Sequence, residues 1–233
     1  MKKILLTLAV VVAALCSQQL AAQTQINQAN ISSFPYYITK PGSYILTSNL
    51  TTSGSNVAIW ITASNVNLNL NGNTISGSSV CTASGCTLNS NNFGIYTSSS
   101  LGNVEIFNGS LTGFTTAVYA NGGIIHDLMV TSCSNGINVN YATVHHNYVM
   151  NCAQVAIADE LGTVSENTVL EYGSIGIQSY YGSVLNNTIS NGVIGLYQVS
   201  GYSSGNTMFF NSIDIETYGN PVYANNACTS GAC

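Results

Sequence analysis

Hydrophobic positions in this chain come in short bursts separated by Asn, Gly and Ser, and from Ile124 to Asn191 the bursts keep a fixed beat. Ile124-Ile125-His126-Asp127 is echoed by Val144-His145-His146-Asn147, Val164-Ser165-Glu166-Asn167 and Val184-Leu185-Asn186-Asn187, whose last residues fall at steps of 20. A second phrase, Gly136-Ile137, Ala156-Ile157, Gly176-Ile177 and Gly195-Leu196, steps by 20, 20 and 19. Each period holds two or three β-branched runs and no helical i, i+3, i+4 spacing. A repeat of this size is the signature of a solenoid. The pattern predicts an all-β parallel β-helix with about 20 residues per coil, closed by N- and C-terminal caps, since a solenoid end exposes core and unpaired backbone.

The beat also divides the chain. Lys2-Lys3, the apolar run Ile4–Leu15 and Leu20-Ala21-Ala22 predict a signal peptide over residues 1–22. Residues 23–56 read as an N-terminal cap with the first strands: Phe34–Leu46 gives a strand, a Pro41-Gly42 turn and another strand. The coils then occupy 57–215 and a C-terminal cap 216–233. Ile59 to Ile95 spans 36 residues where a coil takes about 20, so 78–93 is an excursion loop, the kind of insertion where function is grafted onto a rigid scaffold.

Pro41-Gly42-Ser43-Tyr44-Ile45-Leu46-Thr47-Ser48-Asn49-Leu50-Thr51, followed by Leu68-Asn69-Leu70-Asn71-Gly72-Asn73-Thr74-Ile75-Ser76-Gly77, resembles the opening of secreted bacterial right-handed parallel β-helix repeat proteins of the pectate-lyase-like fold group. The later Asn-Thr-Val, Asn-Thr-Ile and Gly-Ile phrases extend the resemblance over nearly all of the chain after residue 22. It implies a right-handed helix. These motifs specify coil geometry and carry no catalytic group, and the fold hosts lyases, hydrolases and binding proteins alike.

Charge narrows the partners. With Lys2 and Lys3 removed, Lys40 is the only Lys or Arg against eight carboxylates, a formal −7. Nucleic acid, whose phosphates demand Lys and Arg, and anionic membrane surfaces are excluded as partners, and no membrane insertion is expected after cleavage. Export to the periplasm, the cell surface or the medium is the expected destination. Six cysteines would remain, and an even count in an exported chain favours disulfides. Cys81/Cys86 and Cys228/Cys233 share a Cys-Thr-x-x-x-Cys spacing that predicts local clasps. Cys133 and Cys152 hold equivalent places in successive coils, open to a bond or to a stacked pair of thiols.

Residues one period apart stack into columns, so candidate chemistry is read down columns. Asp127, Asn147, Asn167 and Asn187 predict an amide ladder of structural role. The column His126, His146, Glu166 places two imidazoles and a carboxylate together, a transition-metal donor set. Coils about 4.8 Å apart leave its outer members nearly 10 Å apart, so neither metal nor other cofactor is expected. The column following each inward aliphatic is Trp60, Tyr96, Tyr119, Asn138, Ala158, Gln178, Tyr197 and then Tyr223. The period-2 rule turns it outward, and rings with polar tips alternating with amides suit sugar rings and hydroxyls. Trp60, Tyr96, Tyr119, Asn138, Gln178 and Tyr197 are thus the expected ligand-binding residues, and strand residues supporting one another across coils are the competing explanation.

Catalysis has little to stand on. A pectate-type lyase needs a Lys or Arg base and clustered acids, and neither is found in one column. Asp214 and Glu216, flanking Ile215, would sit about 6.6 Å apart on one strand face, a separation suited to inverting glycoside hydrolysis. The sequence therefore supports a non-catalytic exported β-helix that binds glycan or surface polymer, or serves as a scaffold. A polysaccharide-degrading enzyme, a hydrolase before a lyase, is the alternative.

Overall fold

The computed structural model describes residues 23–52, 54, 56–87, 92–99 and 101–230; the expected signal peptide and Cys233 lie outside them. The chain is a parallel β-helix with three faces of stacked, in-register parallel strands. The first face contains Ile59–Ile61, Phe93–Thr97, Thr116–Asn121, Ile175–Tyr180, Ile194–Val199 and Ile213–Tyr218. The second runs from Thr24–Ile26 and Gly42–Leu46 to Val222–Ala224, and the third from Leu50–Thr51 to Ala227–Cys228. Two long strands, Ile124–Asn140 and Tyr148–Glu160, bend from one face to the next without interruption.

Alternation along each strand builds the core. Ile59, Ile95, Val118, Ile137, Ile157, Ile177 and Leu196 form one inward aliphatic stack on the first face, all essentially without exposure. Val144, Val164 and Val184 do the same on the second face, one step of 20 residues per coil. Beside the first stack only small residues fit: a Cβ on Gly136 would lie 2.3 Å from the Ala156 carbonyl of the next coil.

The expected caps are themselves coil. Tyr36–Ile38 and Gly42–Leu46 do not pair with each other; they lie on different faces and pair in parallel with Ile59–Ile61 and Val66–Asn69. At the other end, Val222–Ala224 and Ala227–Cys228 continue the second and third faces. The excursion contains an antiparallel hairpin, Val80–Thr82 with Gly85–Thr87, clasped by a Cys81–Cys86 disulfide. It packs against Ile124–Asn140 and Tyr148–Glu160, and a Cβ on Gly173 would meet the Ala83 carbonyl at 2.3 Å. Cys133 and Cys152, register partners with Cα atoms 4.7 Å apart, are joined by a second disulfide.

The amide ladder is present with its membership shifted by one. Ile125 pairs with Val144, a step of 19, so Leu128 and not Asp127 stands before Asn147. The ladder is Asn147, Asn167, Asn187, Asn206 and Asn226. Each Oδ1 accepts the backbone N–H of the corresponding residue one coil earlier, at 2.9–3.0 Å. Each Nδ2 also donates to a carbonyl of the preceding coil. Asp127 instead shares a left-handed turn position with His146, Glu166 and Asn186, at φ of 52°, 54°, 58° and 54°.

Candidate functional site

That one-residue shift takes apart the candidate donor column His126, His146, Glu166. His126 is a strand residue opposite Phe107 and His145, whereas His146 and Glu166 sit at the turn. His126 is held between two carboxylates, Nε2 3.0 Å from Glu105 and Nδ1 2.7 Å from Asp127, and stacks flat between Phe107 and His145. His146 pairs with Glu166 at 2.9 Å. Burial and the neighbouring imidazoles of His126 and His146 pull the His145 pKa down. Among the described residues no group of three His, Cys, Asp or Glu is arranged to hold a metal ion.

The Asp214–Glu216 pair also separates. Asp214 turns inward and is 1% exposed, with Oδ1 accepting from Asn211 Nδ2 at 2.9 Å and Oδ2 from the backbone N–H groups of Thr229 and Ser230 at 2.7 and 2.6 Å. The position is the wider bend of the first face, where Asp214 follows the Gly195 of the coil before. Its carboxylate ties the last strand to the chain end, while Glu216 faces solvent.

The outward row on the first face has the expected register: Trp60, Tyr96, Tyr119, Asn138, Ala158, Gln178 and Tyr197 are successive partners. Tyr37 precedes it and Glu216 ends it. Tyr223 does not belong to it; it pairs with Ser203 on the second face, with its hydroxyl buried. The row has two halves of different character. In the first, Tyr37 and Trp60 stack at 5.6 Å, Tyr96 and Tyr119 stack at 5.2 Å, and Phe93 meets both tyrosines edge-on. The Trp60 indole N–H is donated to Ser98 Oγ at 3.0 Å. Trp60 meets Tyr96 edge-on at 5.1 Å, so the rings pack on one another in an unbroken row, which is mutual strand support as much as ligand surface.

The second half opens. Ala158 is the short member of the row, and the gap it leaves is a notch of about 270 Å³ lined by Asn138, Asn140, Glu160, Gln178 and Tyr180. Gln178 Nε2 donates to the Tyr180 hydroxyl at 2.7 Å, and Asn140 donates to Asn121 Oδ1 at 2.8 Å. Acceptors and donors are thus fixed in place around a hollow with no cationic side chain and one exposed carboxylate, Glu160, since Asp159, also in its lining, is buried.

The turn beside the notch holds residues that the sequence reading passed over. Gly122, Tyr141, Leu161, Tyr181 and Ser200 occupy equivalent positions, each donating its N–H to the carbonyl one coil on. All have left-handed φ, 56°, 63° and 62° for Tyr141, Leu161 and Tyr181. Asn and Gly suit that conformation, and Asn65, Asn103, Gly122 and Gly219 supply it in other coils. A bulky residue there is an outlier, at a cost of order 1–3 kcal/mol. Tyr141, Leu161 and Tyr181 nevertheless stand in three consecutive coils, 67%, 45% and 59% exposed, immediately after the notch residues Asn140, Glu160 and Tyr180. On the far side of Tyr141 a second hollow of about 350 Å³ is lined by Ser99, Leu101, Asn121 and Gly122. Tyr141, the first residue of the ridge, therefore stands between two depressions. A larger hollow of about 480 Å³ lies toward the second face around Asn67 and Glu105, but its only carboxylate is already bonded to Asn67 and His126.

No protein-family model and no curated protein matches the chain. Solved structures do. The enzymatically active domain of bacteriophage CBA120 tailspike protein 2 superposes with a TM-score of 0.56 at 11% identity, covering 90% of this chain and 46% of that one. The full-length tailspike protein 2 of an Escherichia coli O157:H7 bacteriophage gives 0.57 at 11% identity, covering 90% and 42%. The chain spans less than half the length of either. At this identity the likeness is one of architecture, and the chain shares the parallel β-helix fold of these tailspikes.

Proposed function

We propose that the protein is an exported, non-catalytic binder of neutral glycan, gripping the polymer in the amide notch and against the Tyr141–Leu161–Tyr181 ridge. The ridge carries the argument. Three bulky residues are kept exposed in a backbone conformation that disfavours them, beside a hollow lined by Asn and Gln amides. Strain of this kind persists where it serves a site, and ring faces with nearby amides match the apolar faces and hydroxyls of sugars. Glu160 without a basic neighbour disfavours uronate or sulfated polymers. The tailspike likeness agrees with a polysaccharide-facing β-helix, and the two disulfides agree with an oxidising compartment outside the cytosol. Hydrolysis by Asp214 and Glu216 draws no support from the geometry, because Asp214 is buried and hydrogen-bonded.

The test is affinity electrophoresis through gels containing neutral or uronate polysaccharides, with each mixture also assayed for new reducing and unsaturated ends. Retardation by a neutral polymer without new ends is expected, and Tyr181→Ala or Gln178→Ala should abolish it. Retardation unchanged in both variants would remove this site, and new ends would restore the enzymatic alternative.

A further inference from the structure

One inward row departs from the aliphatic pattern. In register it reads Val139, Asp159, Ser179, Gln198, and its three polar members are 2%, 0% and 0% exposed. Asp159 Oδ2 accepts the Gly162 N–H at 2.9 Å, and Gln198 Nε2 reaches the Gly182 carbonyl at 3.4 Å. Asp159 Oδ1, Ser179 Oγ and Gln198 Oε1 are buried without any hydrogen-bond partner. Such atoms are uncommon and costly in folded proteins. Here three occur in consecutive coils.

Asp159 and Ser179 meet at one place. A Cβ on Gly182 would lie 2.4 Å from Asp159 Oδ2, 2.9 Å from Ser179 Oγ and 2.9 Å from the Gly162 carbonyl oxygen. A Cβ on Gly162 would lie 2.2 Å from Asp159 Oδ1 and 2.2 Å from the Ala142 carbonyl oxygen. The glycines keep this cradle open; carboxylate, hydroxyl and carbonyl oxygens line it, and the Gln198 amide borders it at the Gly182 carbonyl. An all-oxygen set is the environment of hard cations. The Asp159 carboxylate also needs a counter-charge, since Lys40 is the only Lys or Arg beyond residue 3 and all three histidines pair elsewhere.

We propose that Asp159, Ser179 and Gln198, with backbone carbonyls of the Gly162 and Gly182 turns, form an internal site for one monovalent alkali cation. A single carboxylate balances a single positive charge. A divalent ion would leave excess charge buried among aliphatic coils, a costly state. The competing way to neutralise Asp159 is a proton: burial, with Glu160 close by, pushes its pKa up to about 6.

The experiment is thermal unfolding of the full chain at about pH 8, above that pKa, in sodium, potassium or tetramethylammonium chloride at equal ionic strength. A small alkali cation should raise Tm by several degrees over tetramethylammonium. The difference should vanish in Asp159→Asn and shrink in Ser179→Ala, which keeps the charge and serves if the first variant folds poorly. Sodium NMR line broadening on adding wild-type protein, reduced with Ser179→Ala, gives a readout independent of stability. Equal Tm values in all three salts would overturn the proposal in favour of a protonated or hydrated carboxyl. A salt difference that survives undiminished in both variants would place the cation elsewhere.

Discussion

Replacing Asn167 by Ala tests the amide ladder as the element that holds the coils in register. Asn167 is 1% exposed. Its Oδ1 accepts the Asn147 N–H at 2.9 Å and the Asn147 Nδ2 at 3.0 Å, and its Nδ2 donates to the Val144 and Ser165 carbonyls at 3.0 Å each. Truncation leaves the buried Asn147 N–H without that acceptor and takes one donor from each carbonyl. Asn147 Nδ2 keeps its bonds to Ile125 and His145. One orphaned buried donor costs about 1–3 kcal/mol, and weaker losses at two carbonyls bring the expected total to roughly 2–4 kcal/mol. That is a large fraction of the roughly 5–15 kcal/mol that holds a typical domain. Urea unfolding followed by circular dichroism should show a lower midpoint at unchanged slope. Asn140→Ala, which loses one half-buried bond to Asn121, should cost well under half as much. A loss below about 1 kcal/mol for Asn167→Ala, or equal losses for the two variants, would refute the ladder's role, since exposed hydrogen bonds contribute that little.

Three further outcomes follow from other sites. Leu161→Asn should relieve left-handed strain and raise stability by roughly 1 kcal/mol while weakening glycan retention; a variant that is neither more stable nor a poorer binder contradicts the ridge's role. Asp159 binds its proton more tightly folded than unfolded, with a pKa of about 6 against 3.8, so it contributes stability below about pH 4 that is lost as pH rises through 6. In tetramethylammonium salt, Asp159→Asn should remove this fall, about 3 kcal/mol at full ionisation, visible as a flatter Tm–pH curve. Asp214→Ala should orphan the Ser230 N–H, leave the Thr229 N–H only the Met208 carbonyl at 3.2 Å, and fray the last coil, read as faster amide exchange over 213–230 with earlier coils still protected; uniform protection in the variant would mean the carboxylate is not what anchors the chain end.

Periodic features were legible in the sequence because a solenoid writes its geometry once per coil. The inward stack at Ile137, Ile157 and Ile177 and the outward row from Trp60 to Tyr197 follow from alternation alone. Features that depend on register between coils were not. One step of 19 between Ile125 and Val144 moved Asp127 out of the amide ladder and separated His126 from His146 and Glu166. Asp214 was expected outside because strands alternate, but the first face has two adjacent inward positions at its bend. Tyr141, Leu161 and Tyr181 recur at steps of 20 and were available to inspection. Their meaning rests on a positive φ that no residue type there announces, since Asn or Gly would be expected. The Asp159 row was masked by the same alternation rule, for Asp159-Glu160 reads as one inward and one outward acid without showing that nothing pairs the inward one.

The central claim is that glycan is gripped in the notch and against the ridge, and a polymer running on from there along the outward row reaches the only Trp of the chain, a native probe of it. Trp60 stands three coils before Asn138 in the row, about 14 Å from the notch. Titration of wild-type protein with the retained polysaccharide should change Trp60 emission saturably, oligosaccharides too short to leave the notch should bind without that change, and Tyr181→Ala should abolish the response. Emission that stays constant while binding is detected calorimetrically, or a response that survives in Tyr181→Ala, would show that the polymer does not run along this face.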